Sequence, residues 1–269
     1  MKTLYAAKTI SVGVHPTVHV FGLAIDTDIV TSTLLAAAIF LFLGFRMVAK
    51  VTDGVPSKLQ IFCEFLYDQV KDLAESAMGS KGRRFVPIGL TLFLFILISN
   101  WIGFIPSAMH PGSSGEILPA PTGDVNLPLA MALLVIIWVH VESFRARGFK
   151  GYFNHYRQPY AALAPINVIE EITKPITLTF RLFGNLFSGG LMIAVMTTLL
   201  PIYVVPFGEI IWKPFDLFIG AIQAYIFMLL TILYFTFATS NEDHNDAAHD
   251  AAHDAAHHVT PEALHEASH

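Results

Sequence analysis

The fold of this chain depends first on residues 169–200, IEEITKPITLTFRLFGNLFSGGLMIAVMTTLL, which are apolar enough to enter a lipid bilayer and yet contain an arginine. After Arg181 no charged residue follows until Glu209. An arginine in the membrane costs about 2.5–3.5 kcal/mol on insertion scales, and its guanidinium does not give up its proton. Helical spacing puts Arg181, Asn185 and Ser188 on one face. Arg181 is therefore expected to face water, protein or a partner rather than lipid.

Three glycines in the same stretch, Gly184, Gly189 and Gly190, leave the helix surface nearly bare, which lets another helix approach closely. A fixed positive charge, a polar stripe and a smooth surface together predict a partner at this helix. The alternative is an arginine that snorkels to the interface from a helix end. The apolar stretch after Arg181 is too long for a helix end, so the partner interpretation is favoured.

A second polar helix follows at residues 217–239, LFIGAIQAYIFMLLTILYFTFAT, and is preceded by Asp216. Asp216, Gly220 and Gln223 share one helical face. The pair TLTFRLFGNLFSGG and IQAYIFMLLTILYF, with PTGDVNLPLAMAL and PINVIEEITKP before it, resembles the a subunit of the rotary F-type ATP synthase of bacterial type. The resemblance covers roughly residues 40–240. It includes neither the far N-terminus nor the C-terminal tail.

The composition indicates a membrane protein. Of the 269 residues 54% are hydrophobic and 14% are charged, against about 25% charged residues in soluble domains. The chain divides into an N-terminal lead-in at 1–28, a membrane domain at 29–240 and a His/Asp/Ala-rich tail at 241–269. The net charge of −5 reflects acids crowded in the tail, so nothing supports nucleic-acid binding. The single Cys63 excludes a disulfide within the chain.

The predicted fold is an all-α integral membrane protein with about five transmembrane helices and one amphipathic interfacial helix. The resemblance adds that the last two membrane helices form a long hairpin against a partner ring. The amphipathic helix is expected at 56–78, with an apolar face formed by Leu59, Phe62, Cys63, Leu66, Val70, Leu73 and Ala77. The spans are expected at 29–45, 85–106, 125–140, 169–200 and 217–239.

Basic residues predict the orientation of these spans. Segment 46–84 holds seven Lys or Arg residues and segment 142–165 holds four, whereas 109–124 holds none. By the positive-inside rule the first two segments are cytoplasmic. The protein is therefore expected in the cell inner membrane as a multi-pass protein, with its N-terminus outside and its C-terminus in the cytoplasm.

Several polar residues have two interpretations. Asn100 lines a water path or makes a helix–helix hydrogen bond. Asp124 gathers protons at a channel mouth or caps a helix, and the cap is favoured. His140 is expected at the interface. His15 and His19 are four residues apart with Pro16 between them, and both are expected to be exposed rather than to bind a metal. The tail repeat DAAHDAAHDAAHH stacks histidines on a helix for metal or pH sensing, but a mostly disordered tail is favoured.

The resemblance assigns roles to named positions. Arg181 matches the arginine that faces a ring of proteolipid c subunits, each with one membrane carboxylate, and it acts there as an electrostatic gate between two aqueous half-channels. Candidates for the inlet half-channel are Asn100, Asp124, Asn185, Asp216 and Gln223. Candidates for the cytoplasmic half-channel are Glu170, Glu171, Thr173 and Thr177. Close helix packing is assigned to Gly184, Ser188, Gly189, Gly190 and Gly220.

The same resemblance implies partners: the c-ring oligomer, the peripheral-stalk b subunits, the other ATP synthase subunits and the lipid bilayer. Neither a cofactor nor a metal is expected, and the chain is not expected to be catalytic by itself. The alternative functions are an independent proton-coupled transporter or channel, with Arg181 binding an anion, and a structural scaffold. The coupling ion, proton or sodium, is set mainly by the ring and so lies outside this sequence.

Two positions depart from the family pattern. Nine residues after Arg181, where the family commonly has Glu or His, this chain has Gly190, which leaves Asp216 as the titratable group. Gly103 replaces an acid found in some relatives. Asp216 is expected to reach across into the gap at Gly190 as a proton relay. The alternative, weighted equally, is an N-cap at the start of the last helix.

Overall fold

The computed structural model describes residues 17–20, 23–52, 55–103, 119–155, 164–201 and 203–258. A short antiparallel hairpin comes first, with β1 at Thr17–Val20 and β2 at Leu23–Asp26. Six α-helices follow: α1 Thr27–Lys50, α2 Lys58–Met78, α3 Val86–Ile102, α4 Asn126–His155, α5 Ala164–Leu199 and α6 Val205–His258. Short 3-10 helices at Gly79–Phe85 and Pro121–Gly123 lead into α3 and α4.

Five helical segments of the described chain are long and apolar enough to cross a membrane. They are α1, the stretch from α2 through α3, and the apolar parts of α4, α5 and α6, so the predicted all-α membrane fold with about five spans is confirmed. The first span is longer than expected, Thr27–Lys50 rather than 29–45. The β-hairpin before it replaces part of the irregular lead-in. His15, loop 104–118 and tail residues 259–269 lie outside the described residues.

The centre of the bundle is α6, which packs against α2, α3, α4 and α5. Its large side chains Phe227 and Phe235 are fully buried, as are Ile96 of α3 and Leu182 of α5. Phe235 also stacks on Phe85, with ring centroids 4.3 Å apart. The helix α5 packs on α4, on α6 and on the 3-10 helix Pro121–Gly123, and no other described element packs extensively on its remaining face, which is open within the described residues.

The amphipathic helix α2 begins where predicted, because the hydroxyl of Ser57 caps it by accepting from the backbone N–H of Gln60 at 3.3 Å. Its packed face is rotated from the predicted one. Ala74 and Met78 are buried with Val70, whereas the predicted face residue Phe62 is exposed. The rotation arises because α2 packs on α3 and α6 rather than lying free of the bundle.

The last helix begins much earlier than the predicted 217. Only a tight turn separates it from α5, with the backbone N–H of Val204 donating to the carbonyl of Pro201 at 2.8 Å. Asp216 consequently lies about three turns inside α6. The N-cap interpretation of Asp216 is therefore wrong. At its other end α6 stays helical through His258, where the sequence predicted mostly disorder.

Candidate functional site

Contacts along the α5–α6 hairpin set how the two helices align. The carboxylate of Asp216 occupies the space that a side chain on Gly189 would need. A Cβ added to Gly189 would lie 2.8 Å from Oδ1 of Asp216 and 3.0 Å from its Cγ and Oδ2. Towards the turn, a Cβ on Gly208 would lie 3.1 Å from the sulfur of Met196. Both pairs correspond to the same antiparallel register. Asp216 is thus held against bare backbone of the neighbouring helix.

The glycine that makes room for Asp216 is Gly189 and not Gly190. Gly189 is buried, whereas Gly190 is exposed and a Cβ added to it would have no neighbour within 4 Å. Adjacent residues of a helix point about 100° apart, so the two glycines serve different faces. The expectation that Asp216 fills the gap at Gly190 is corrected accordingly.

Two amide side chains lie deeper in the hairpin than Asp216. Asn185 is one turn from Gly189 and Gln223 is two turns from Asp216, so the antiparallel register places them at nearby levels. The Nδ2 of Asn185 and the Nε2 of Gln223 are buried and have no hydrogen-bond partner in the part of the chain that the structure describes. Because an unsatisfied buried donor costs about 1–3 kcal/mol, these amide groups suit a hydrogen bond to the oxygen of a water molecule.

Arg181 lies two turns from Gly189 on α5. Its side chain is exposed, and within the described ranges it makes no hydrogen bond or ion pair. Gly184 has open space where its Cβ would be, and Ser188 is exposed with its hydroxyl donating to the carbonyl of Asn185 at 2.7 Å. An unpaired charge and small residues therefore share the open face of α5.

The residues assigned to close helix packing divide into two groups. Gly189 packs against Asp216, and Gly220 packs against Asn100, whose Cβ would be 3.2 Å from a Cβ on Gly220. Gly184 and Ser188 lie on the open face of α5, and Gly190 lies on another exposed side of it. Within the described part of the chain, none of the three packs against another helix.

Asn100 ties three elements together. Its Nδ2 donates to the carbonyl of Gly220 at 2.8 Å, and its Oδ1 accepts from the hydroxyl of Thr122 at 2.6 Å. The residue is only 5% exposed. These bonds favour the helix–helix interpretation of Asn100. Nearby, a Cβ on Gly103 would lie 2.7 Å from the Cβ of Ala120, so an acidic side chain does not fit there without rearrangement.

Asp124 stands at the beginning of α4. Its Oδ1 accepts from the backbone N–H of Asn126, the first residue of the helix, at 2.6 Å. This is the local capping role that the sequence favoured for Asp124. The same end of the bundle holds the α5–α6 turn and therefore Asp216.

At the opposite end Glu171 is held on both sides. Its Oε2 accepts from the Nζ of Lys174 at 2.7 Å, and its Oε1 lies 3.6 Å from the Nε2 of His140. The other nitrogen of His140 is 3.3 Å from the hydroxyl of Tyr152. Lys174 also lies 5.6 Å from the ring centre of Tyr234. The network joins α4, α5 and α6.

The sequence did not assign His140 or Lys174 to the site. The sequence did offer a signal for them: His140 ends the apolar run 125–140, and Lys174 lies inside the next one, 169–200. Of the other residues predicted here, Glu170, Thr173 and Thr177 are exposed. Thr173 and Thr177 donate to the carbonyls of Ile169 and Thr173 at 2.7 and 2.8 Å.

The basic segments lie at this same end. Arg84, before α3, and Arg145, late in α4, both approach the carboxylate of Glu142, at 3.6 and 3.1 Å. One arginine from each of the two basic segments thus lies at the same end of the bundle.

Comparison with known proteins agrees with this arrangement. The sequence pattern of the ATP synthase A chain family matches residues 29–236. Proteins named ATP synthase subunit a are 45% identical in Acidothermus cellulolyticus, over 88% of this chain and 86% of the relative, and 43% identical in Mycobacterium leprae, over 91% and 99%. The one from Mycobacterium tuberculosis is 42% identical over 91% and 99%. The chain therefore belongs to the ATP synthase A chain family, the multi-pass membrane subunit a of bacterial F-type ATP synthases, which takes part in proton transport and is not catalytic on its own.

Proposed function

We propose that this chain is the proton-translocating stator subunit of an F-type ATP synthase, in which Arg181 is the electrostatic gate between two aqueous half-channels that load and unload the carboxylates of a c-ring. One observation carries the proposal: an exposed arginine far inside an apolar helix, without a hydrogen bond or ion pair among the described residues. A guanidinium at membrane depth needs a counter-charge or water, and the open face of α5 leaves room for a carboxylate from another chain.

The charge of Arg181 is strong enough for this role. A carboxylate about 4 Å away gains about 4 kcal/mol as an anion at an effective dielectric constant of 20. At 1.36 kcal/mol per tenfold change, this weakens proton binding to that carboxylate about a thousandfold. The same fixed charge repels a proton that would pass directly from one half-channel to the other. Arg181 thus releases and blocks protons without carrying them.

The inlet half-channel runs from the α5–α6 turn inward. Asp216 accepts a proton in this path, because its carboxylate lies against Gly189 without a hydrogen bond or ion pair from any other described residue. The unsatisfied amides of Asn185 and Gln223 lie next along the hairpin and orient water between Asp216 and the ring. Asn100 acts by holding α6 in place, and Asp124 lies at the outer mouth.

The cytoplasmic half-channel follows the exposed face of α5 below Arg181. Thr177 is one turn and Thr173 two turns from Arg181, and both hydroxyls donate to their own helix, which leaves oxygen lone pairs free for water. Glu170 is exposed at the end of this path. Glu171 is tied to Lys174 and His140, so it supports the wall of the path more than it carries protons.

The proposed partners are the c-ring against the open face of α5, the b subunits of the peripheral stalk and the remaining ATP synthase subunits. The proposed orientation in the cell inner membrane has the N-terminus outside and the C-terminus in the cytoplasm. The common position of the two basic segments supports it. Relatives matched over nearly their whole length favour this function over an independent transporter.

The decisive test is Arg181→Ala in the assembled complex. ATP-driven proton pumping into inverted membrane vesicles should be lost, while the c-ring still copurifies with the chain. Arg83→Ala is the matched control, because Arg83 is an exposed arginine paired with Glu75 at 3.2 Å, and its pumping should be normal. Normal coupled pumping by Arg181→Ala would refute the gate.

A further inference from the structure

A pocket of about 400 Å³ lies between the beginning of α3 and the second half of α4. Its walls include Pro87 and Ile88 from α3, and Trp138, Glu142 and Arg145 from α4, with Arg84 at the rim. This pocket belongs to the basic end of the bundle, at the level where the apolar part of α4 gives way to charged residues. It is separate from the α5–α6 hairpin.

An apolar groove continues from this pocket along α4. The groove is shallow and open, and only residues of α4 line it: Ala130, Leu133, Leu134, Ile137 and Val141, together with Trp138 and Arg145, which it shares with the pocket. At 1.5 Å per residue its walls follow α4 for about 16 Å into the apolar span. The polar pocket and the shallow apolar face of α4 therefore adjoin at Trp138 and Arg145.

The polar end carries excess positive charge. The carboxylate of Glu142 is buried and places one oxygen towards each arginine, 3.6 Å from Nη2 of Arg84 and 3.1 Å from Nη1 of Arg145. The two arginine side chains stay 50% and 73% exposed. Each guanidinium has five N–H donors, more than one shared carboxylate can accept. Glu142 thus orients both guanidinium groups and leaves donors for a further anion.

We propose that the pocket and groove bind one anionic phospholipid, with its phosphodiester between Arg84 and Arg145 and an acyl chain along the groove of α4. Arginine is well suited to phosphate, and basic pockets beside membrane helices on the cytoplasmic side recognise anionic headgroups. Trp138 lies at the junction, where an indole fits the boundary between headgroups and acyl chains. A free phosphate would leave the groove unused, and an apolar partner helix would leave the donors unpaired.

The first test concerns the charge. The purified full complex is exchanged into mixed phosphatidylglycerol and phosphatidylcholine, and the retained phospholipids are counted by native mass spectrometry. Arg84→Gln and Arg145→Gln, made singly so that Glu142 keeps one partner, should each lower the retention of phosphatidylglycerol relative to phosphatidylcholine about tenfold. Arg83→Gln is the matched control, because Arg83 pairs with Glu75 and does not line the pocket.

The second test concerns the groove. Ala130→Phe fills it without changing any charge and should lower lipid retention, whereas Ala38→Phe, the same change at an exposed position of α1, should not. Equal retention of both lipids by the unchanged protein would overturn the proposal, as would displacement by soluble glycerol 3-phosphate. A photo-crosslinker at Ile137 that reacts with another subunit instead of lipid would also overturn it.

Discussion

The two ends of the α5–α6 hairpin contain similar polar residues, but these residues have partners at one end and none among the described residues at the other. At the end near α2 and the basic loops, Glu171 is bound by Lys174 on one side and approached by His140 on the other. At the turn end, Asp216 rests against bare backbone, and the amides of Asn185 and Gln223 have unsatisfied donors among the described residues. Fully paired groups are fixed in position, whereas unpaired ones can exchange with water. The comparison thus separates a carboxylate that is fixed by partners, at Glu171, from one that has none among the described residues, at Asp216.

The largest expected effect in this comparison is that of Asp216→Asn. Asparagine occupies the same space but does not titrate, so proton flux through the complex should fall about a hundredfold, as when a positioned proton-transfer group is removed. The measurement is the rate of proton flux in reconstituted vesicles, with assembly checked by copurification. Flux equal to that of the unchanged complex would show that Asp216 only packs against Gly189.

The next effect separates the two glycines. Gly189→Ala places a methyl group against the Asp216 carboxylate and should reduce flux about tenfold, because overpacking costs about 1–3 kcal/mol. Gly190→Ala is the matched control within this chain, since its methyl group meets open space. Both are measured in the same vesicles. A larger defect in Gly190→Ala than in Gly189→Ala would instead place the critical close approach at the exposed side of α5 on which Gly190 lies.

A smaller effect is expected at the paired end. Glu171→Gln removes a charge-assisted hydrogen bond to Lys174 and should lower stability by about 1–2 kcal/mol, with flux little changed. Thermal unfolding of the complex and proton flux are measured together. Glu75→Gln, in the exposed pair with Arg83, should change stability by less than about 1 kcal/mol. A large loss of flux with normal stability would make Glu171 a carrier of protons.

The smallest effect is predicted for the tail. Deletion of residues 245–269 removes the last part of α6 and should leave proton transport unchanged, because the DAAH repeat offers only alanine for apolar packing. Flux and assembly of the truncated chain are compared with those of the full chain. A coupling defect in a correctly inserted truncation would assign a function to the helical extension.

Much of the fold was predictable because the insertion of a helix into a membrane depends mainly on its local amino-acid composition. The five apolar spans and the exposed Arg181 follow from that pattern. The beginning of α6 could not be predicted in this way. Its first part has the composition of a loop, with Glu209, Lys213, Pro214 and Asp216 close together. In the structure Pro214 lies inside the helix, which membrane helices tolerate when neighbours satisfy the freed backbone groups.

The sequence by itself determined the membrane architecture, the family and the position of Arg181 inside an apolar helix, because each depends on composition or on a motif within one helix. The tertiary structure alone decided which groups are paired. Asn100 is bonded to Gly220 and Thr122, far away in the chain, and Asp216 rests on Gly189 instead of Gly190. The reason is geometric. One residue turns a helix face by about 100°, and that rotation is set by packing between helices rather than by the order of residues within one.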